Sequence, residues 1–325
     1  MSKIRWAILG AGRIAHKFAQ DIKFVDNAEL VAIASSDKTR AAAFAAERQV
    51  PLVFSYQELY ASDQVDAVYI ATTHNFHFEQ SMECMKHGKA VLCEKPVTIN
   101  DAQFRQLVNT AAGQNVFLME ALWTFYLPAL ARARQWINED RIGPIRMIQA
   151  DFGFQMEYNP TGRLYNRELA GGALLDLGIY PIAFSYFFMG RKPVNIISSG
   201  RIGSTGVDET TAMILDYGNI TASLFCCMVV KTRNTGYIFG EKGYIEIPDF
   251  YKASMAALYN TEKELQETYH DNRRSFGYNY EIQDATNALL AGKKQSDIAT
   301  HQVSADLQEI MTEIRRQIGL TYPGE

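Results

Sequence analysis

The sequence predicts an α/β chain in two parts, a parallel sheet covered by helices and then an α+β part on an open, mostly antiparallel sheet. Three observations carry this expectation. Short apolar runs and helical patterns alternate from Ile4 to Glu120, with short connections. Most of those runs lack the two-residue alternation of a half-exposed strand, as strands buried on both faces do. Beyond Arg141 the runs instead alternate or sit beside tight turns at Asp216–Asn219 and Gly240–Gly243, which suits antiparallel hairpins.

Along the first part, Ile4–Leu9 is an apolar strand that runs into Gly10-Ala11-Gly12-Arg13-Ile14-Ala15, and Ile14, Phe18 and Ile22 continue at helical spacing. Further strands are expected at Glu29–Ser35, Val65–Ala71, Ala90–Glu94 and Val116–Glu120. Helices are expected at Arg40–Arg48 and Phe76–His87, the second closed by Gly88, and from a cap at Asn100 or Asp101 to Ala112. In the second part the expected strands are Ile145–Gly153, Val194–Ser199, Ala212–Asp216, Ile220–Val229 and Tyr237–Gly240. A helix after Gly178 and two C-terminal helices should cover one face of that sheet. The last, Val303–Gly319, carries the stripe Leu307, Ile310, Ile314 and Ile318. The expected division is residues 1–122 and 123–325.

Composition narrows the function classes. The 325 residues are 47% hydrophobic and 21% charged, ordinary globular usage, which excludes a disordered tail or a disulfide scaffold. A net charge of −4 gives no electrostatic reason to seek nucleic-acid phosphates. No apolar run reaches the roughly 18 residues of a membrane span, and a strand that begins at Ile4 leaves no room for a signal peptide. The four cysteines, Cys84, Cys93, Cys226 and Cys227, form no CxxC pair and read as buried small side chains in a reducing cytoplasm.

Between a first strand and a first helix, the glycines acquire a mechanism. Gly10 permits the tight turn, Gly12 lets backbone approach a pyrophosphate, and the helix N-terminus at Arg13 and Ile14 supplies amide donors. Ala15 replaces the third glycine of the fingerprint and still allows close packing. This is a Rossmann dinucleotide-binding pattern. The end of the second strand, Ser35-Ser36-Asp37-Lys38-Thr39-Arg40, offers hydroxyls and charge to a 2′-phosphate, whereas Asp37 favours NAD unless it turns away to cap the next helix. The balance favours NADP, with NAD as the alternative.

Glu94-Lys95-Pro96 at the end of the fourth expected strand, after that glycine turn, resembles the Gfo/Idh/MocA oxidoreductases. So do Met119-Glu120-Ala121-Leu122-Trp123-Thr124 and the run from Gly171 to Tyr180. With Arg163-Leu164, these motifs are most similar to the dimeric dihydrodiol dehydrogenase and NADP-dependent xylose dehydrogenase branch. Inositol-dehydrogenase-like members carry histidine where Tyr180 stands and an acid a turn later, and this chain has neither. Phe125 stands where the dihydrodiol branch has arginine, and Ser36 where its NADP members often have arginine.

The resemblance implies that Lys95 and Tyr180 meet over a nicotinamide ring. Hydride transfer from a carbinol needs a group to take the hydroxyl proton. A free tyrosine, with a pKa of about 10, is a poor base near neutrality, and a lysine ammonium within roughly 4–6 Å favours the phenolate. Tyr180 is therefore the expected proton donor/acceptor, tuned by Lys95, with Asp176 one helical turn earlier orienting the substrate hydroxyls or Lys95. Trp123 is expected as the lid of the substrate pocket, or otherwise to pack the domain junction. Thr72, Thr73, Asn75 and His77, in the loop after the third strand, and Glu94 are expected beside the cofactor. Pro96 is expected in a cis bond, as the resemblance implies. His74 and His77 lack the further ligands zinc needs, so no metal is expected.

The expected activity is hydride transfer between a sugar, polyol or cyclic diol and NAD(P). The alternative is a catalytically silent NAD(P)-binding sensor, against which Lys95 and Tyr180 both argue. A bare face on the second sheet would leave a large apolar patch, so a homodimer or larger homo-oligomer through that sheet is expected.

Overall fold

A computed structural model describes residues 3–325. In chain order the first elements are β1 (Ile4–Leu9), α1 (Arg13–Asp21), β2 (Ala28–Ala34), α2 (Lys38–Arg48), β3 (Leu52–Phe54) and α3 (Tyr56–Ala61). Next come β4 (Ala67–Ile70), α4 (His74–Lys86), β5 (Ala90–Glu94), α5 (Asp101–Gln114) and β6 (Leu118–Ala121). After them follow α6 (Pro128–Asn138), β7 (Ile145–Gly153), α7 (Ile179–Met189), β8 (Asn195–Ile202), β9 (Asp208–Asp216) and β10 (Thr221–Cys227). The chain continues with β11 (Gly236–Gly240), β12 (Gly243–Ile247), β13 (Met255–Asn260), β14 (Leu265–His270), α8 (Tyr278–Leu290) and α9 (His301–Ile318).

Two compact units result, and neither is quite the expected domain. The first runs to Trp123 and takes back Arg274–Ala305; the second is Thr124–Arg273 with Asp306–Glu325. The expected single boundary after residue 122 is corrected by α8, which packs on α1 and β1 of the first unit. Its attachment is specific. Buried Asp21 at the end of α1 accepts from the amides of Phe276 and Tyr278, and Trp6 Nε1 donates to Thr286 Oγ1.

In the first unit six parallel strands stand in the order β3-β2-β1-β4-β5-β6. This is the dinucleotide-binding order, which reverses between β1 and β4. The strands are apolar on both sides because both are covered. Ala7, Leu9, Val68, Ile70, Val91 and Cys93 pack with Phe104 and Leu107 of α5. On the other side Phe18 of α1 stacks on Tyr69 at 4.0 Å and meets Trp6 edge-on. Sequence periodicity missed β3 and α3, elements of three and six residues. The end of α4 and the start of α5 follow expectation: Gly88 is left-handed at φ +72°, and Asn100 caps α5 through the amide of Gln103.

The second unit holds eight strands in the order β14-β13-β12-β11-β7-β10-β9-β8, antiparallel except for β7 beside β10. The Asp216–Asn219 hairpin forms, with Gly218 at φ +92° and its amide on Asp216 Oδ1. β12, β13 and β14 were not foreseen, because their apolar pattern is broken by Tyr, Asn and Glu. Helices α6 and α7 and the C-terminal part of α9 cover one face. In α9 the expected stripe is buried at Leu307, Ile310 and Ile314. The helical stretch Arg167–Met189 is long and apolar enough to cross a membrane by length and composition, contrary to expectation. Its apolar window is 83% buried, as a core helix of this unit requires.

Candidate active site

The switch point between β1 and β4 is built for a pyrophosphate. Gly10 sits at φ +106°, and a Cβ there would lie 2.8 Å from Ala71 O, so only glycine fits. At Gly12 a Cβ would meet nothing nearer than Ala71 O at 3.7 Å, which leaves the space above that backbone open to a ligand. Helix α1 begins directly after it with no side-chain cap and no acid in its first turn. The amides of its first turn, starting at Arg13 and Ile14, are therefore available as donors, and an anion there meets the positive end of the helix dipole. Ala15 is fully buried against the sheet, the close approach expected of it. This cradle fits the diphosphate of a dinucleotide.

At the end of β2 the side chains of Ser36, Lys38 and Arg40 are exposed, and Ser35 is buried. Asp37 is occupied as the N-cap of α2, accepting from the amide of Arg40 at 3.1 Å. Arg40 Nη2 reaches Ser35 Oγ at 3.4 Å. The carboxylate that would have favoured a ribose 2′-hydroxyl is thus spent on the helix, and the exposed charges beside it are cationic.

After β4, Thr72 Oγ1 donates to Gln80 at 2.6 Å and Thr73 Oγ1 to Asn75 Oδ1 at 2.8 Å, so the loop is braced by side chains of α4. His77 lies inside the fold. It is fully buried, with Nδ1 2.8 Å from Pro96 O and Nε2 3.2 Å from Thr72 O. From the first turn of α4 it ties the β4 loop to the β5 loop. The Lys95–Pro96 bond is cis, as the resemblance implied. Lys95 is half-buried at the carboxyl end of β5, on the same sheet edge as Gly10 and Thr72. Glu94 is buried and accepts from the hydroxyl of Tyr69. Burial, with the Glu94 charge beside it, holds the Tyr69 phenol well above its usual range. Trp123 is 4% exposed and stacks on Tyr278 at 4.4 Å, a packing contact within the first unit.

In the second unit the motif from Gly171 to Tyr180 folds as a glycine turn, a π-helical segment at Leu174–Gly178 and then α7. Asp176 lies in the π segment and Tyr180 one turn on. Such wide turns recur at functional sites because they re-aim the side chains that follow. Asp176 is buried and takes both guanidinium nitrogens of Arg163, at 3.0 and 3.2 Å. The sequence reading named Arg163 only as part of a motif; the fork geometry makes it the partner that orients Asp176. Tyr180 is half-buried, its ring 4.9 Å from Phe152 and 6.0 Å from Tyr251. Neither aromatic was singled out beforehand. Their positions, on β7 and just beyond β12, follow from sheet register, which one sequence does not disclose.

Comparison with known proteins defines the class. Residues 4–122 match the model of the oxidoreductase family with the NAD-binding Rossmann fold (GFO_IDH_MocA), and residues 130–246 match the GFO/IDH/MocA C-terminal domain. The chain belongs to the Gfo/Idh/MocA oxidoreductase family. Among its relatives is the trans-1,2-dihydrobenzene-1,2-diol dehydrogenase of Mus musculus, 36% identical over 329 residues that span 98% of both chains. The Homo sapiens protein of the same name is 35% identical over 332 residues, also 98% of both. In fold the chain is similar to a 3-ketoreductase from Actinomadura kijaniata in complex with NADP and TDP-benzene, with TM-score 0.88, 23% identity and 98% of both chains covered. An aldose-aldose oxidoreductase from Caulobacter crescentus complexed with glycerol gives TM-score 0.87, 21% identity and 97% coverage of both.

Proposed function

We propose that this chain is a dehydrogenase that moves a hydride between a carbinol of a sugar, polyol or cyclic diol and NADP, with NAD as the less favoured cofactor. The observation that carries the reading is Lys95 at the carboxyl edge of the parallel sheet, on the same edge as a glycine turn that leaves room at Gly12 for the close approach of a diphosphate. The names of the full-length relatives support a vicinal diol as substrate class. NADP is supported by the exposed Ser36, Lys38 and Arg40 and by the withdrawal of Asp37 into its helix cap.

When bound, the nicotinamide supplies the hydride acceptor. The protein supplies the proton chemistry. Tyr180 takes the hydroxyl proton in oxidation and returns it in reduction. Lys95 favours its phenolate and binds the reacting oxygen. Asp176, oriented by Arg163, accepts from the neighbouring hydroxyl of the substrate.

A second copy of this chain on the open face of the second sheet completes the reading. Tyr237, Phe239, Tyr244 and Tyr259 share that face, half-buried, in a continuous row whose last pair stacks at 4.8 Å. No nucleic-acid or membrane partner is proposed. Four buried free thiols suit residence in a reducing cytoplasm.

The test is cofactor reduction, followed by the absorbance of reduced nicotinamide, with trans-diols, polyols and aldoses against NADP and NAD in parallel. At least one substrate should turn over, faster with NADP. Tight cofactor binding with no reduction by any member of the set would favour the silent sensor.

A further inference from the structure

The segment that presents Asp176 and Tyr180 is held at its base by one carboxyl. Asp208 opens β9 and is fully buried. Its Oδ2 accepts from the amide of Leu174 at 2.8 Å and from Thr211 Oγ1 at 2.8 Å. Its Oδ1 faces Gly172, where a Cβ would come within 2.3 Å of it and where φ is +120°, so the glycine is required by the acid. From the C-terminal tail, buried Tyr322 donates its hydroxyl to Gly171 O at 2.5 Å. The tail is in turn fixed by two hydrogen bonds from Arg315 to Glu325, both 2.7 Å. A buried carboxylate on the first amide of a helical segment is a charge-assisted anchor, strengthened by the dipole of that segment.

We propose that Asp208 is a positioning residue, whose carboxylate fixes the Gly171–Gly172 turn and the π segment at Leu174–Gly178 and thereby sets the direction in which Asp176 and Tyr180 leave it. The proposal rests on Tyr180 being the proton-exchanging group. Its chemistry adds a pH signature. Burial pushes the Asp208 carboxyl up to about 6, against the pull of the Thr211 hydroxyl and the Leu174 amide. The other titratable groups around it are the Cys226 thiol on β10 and the Tyr322 phenol, with Arg315, Glu325 and Arg167 behind the latter. Below that pH the anchor becomes a neutral acid, its grip on the Leu174 amide weakens, and turnover declines.

The test compares the pH profiles of kcat and KM for wild type, Asp208→Asn, Thr211→Val and Thr211→Ser, with NADPH binding as a control on the first unit. Asp208→Asn should lower kcat roughly 10- to 100-fold, the size of a small misplacement of reacting groups, leave NADPH binding intact and erase the acid limb near pH 6. Thr211→Val removes one donor and should move that limb to higher pH, and Thr211→Ser should restore it. The Thr211 pair carries the test if Asp208→Asn does not fold. An unchanged kcat and acid limb across the series, with Tyr180→Phe inactive, overturns the role of Asp208 alone. An active Tyr180→Phe overturns the proton-exchange reading, and the positioning role with it.

Discussion

Asp37 shows how one side chain decides cofactor chemistry by where its hydrogen bond goes. Its carboxylate is engaged in capping α2, beside the exposed Ser36, Lys38 and Arg40 at the end of β2. Removing cationic charge there should therefore cost the phosphorylated cofactor selectively. Lys38→Ala and Arg40→Ala should each raise KM for NADP several-fold, roughly the worth of a charged contact near a surface, and leave KM for NAD unchanged. Equal effects on both cofactors would place the 2′-phosphate elsewhere. Residues of this kind were legible because glycine turns, strand-end lysines and cap acids act locally in sequence. Arg163 as the partner of Asp176, and His77 as a brace on Pro96 O, were not. Both depend on loops that return across many residues to close a contact.

Among the elements, α8 is the one whose placement the sequence hid. Its pattern suits either sheet, and only contacts with Trp6, Asp21 and Asn27 assign it to the first unit. It also carries Glu281, fully buried with no hydrogen-bond partner for either oxygen. Burial, together with the charges of Glu94 on β5, Asp21 on α1 and Asp284 on its own helix, pushes this carboxyl well above the usual range. The Tyr69 phenol on β4 faces the same region. Because the folded value exceeds the unfolded one, the contribution of Glu281 to stability is complete below the ordinary carboxyl range and is lost as pH rises through the raised value. Glu281→Met removes the loss. In thermal melts its stability should exceed that of wild type by ~1–3 kcal/mol at about pH 5, the cost of an unsatisfied buried polar group, and by more at about pH 8, where the wild-type carboxyl is also pressed to ionise. A variant less stable than wild type throughout would mean that the carboxyl has a partner in the native protein. The glycine turn and α7, by contrast, were readable as a motif, though not as a π segment, because helix width is set by packing against β9 and β10 rather than by residue type.

For the whole molecule, the proposed assembly rests on the open face of the second sheet. The helix-covered face takes Ile148, Ala150, Ile238 and Ile245, all essentially inaccessible, while the alternate positions Met147, Phe239, Tyr244 and Tyr259 retain exposure. Phe239→Glu places a charge within this row and should convert a dimer to a monomer in sedimentation at micromolar concentration, with the melting of the first unit unchanged. A wild-type monomer under the same conditions would remove the proposed interface. The overall organisation was legible because a parallel sheet and hairpins differ in period and turn chemistry. The three final strands were not, since Tyr244, Glu246, Tyr259 and Asn260 blur an alternation that the register makes plain.

Proton exchange by Tyr180 under the influence of Lys95 is the central step of the proposed reaction. The pH dependence of kcat/KM for Lys95→Met, measured beside wild type with the best substrate from the diol and sugar set, tests it most directly. Loss of the ammonium should move the basic group of the profile toward the ordinary phenol value of about 10 and depress the rate at neutral pH. A profile of unchanged shape and position would contradict the assignment.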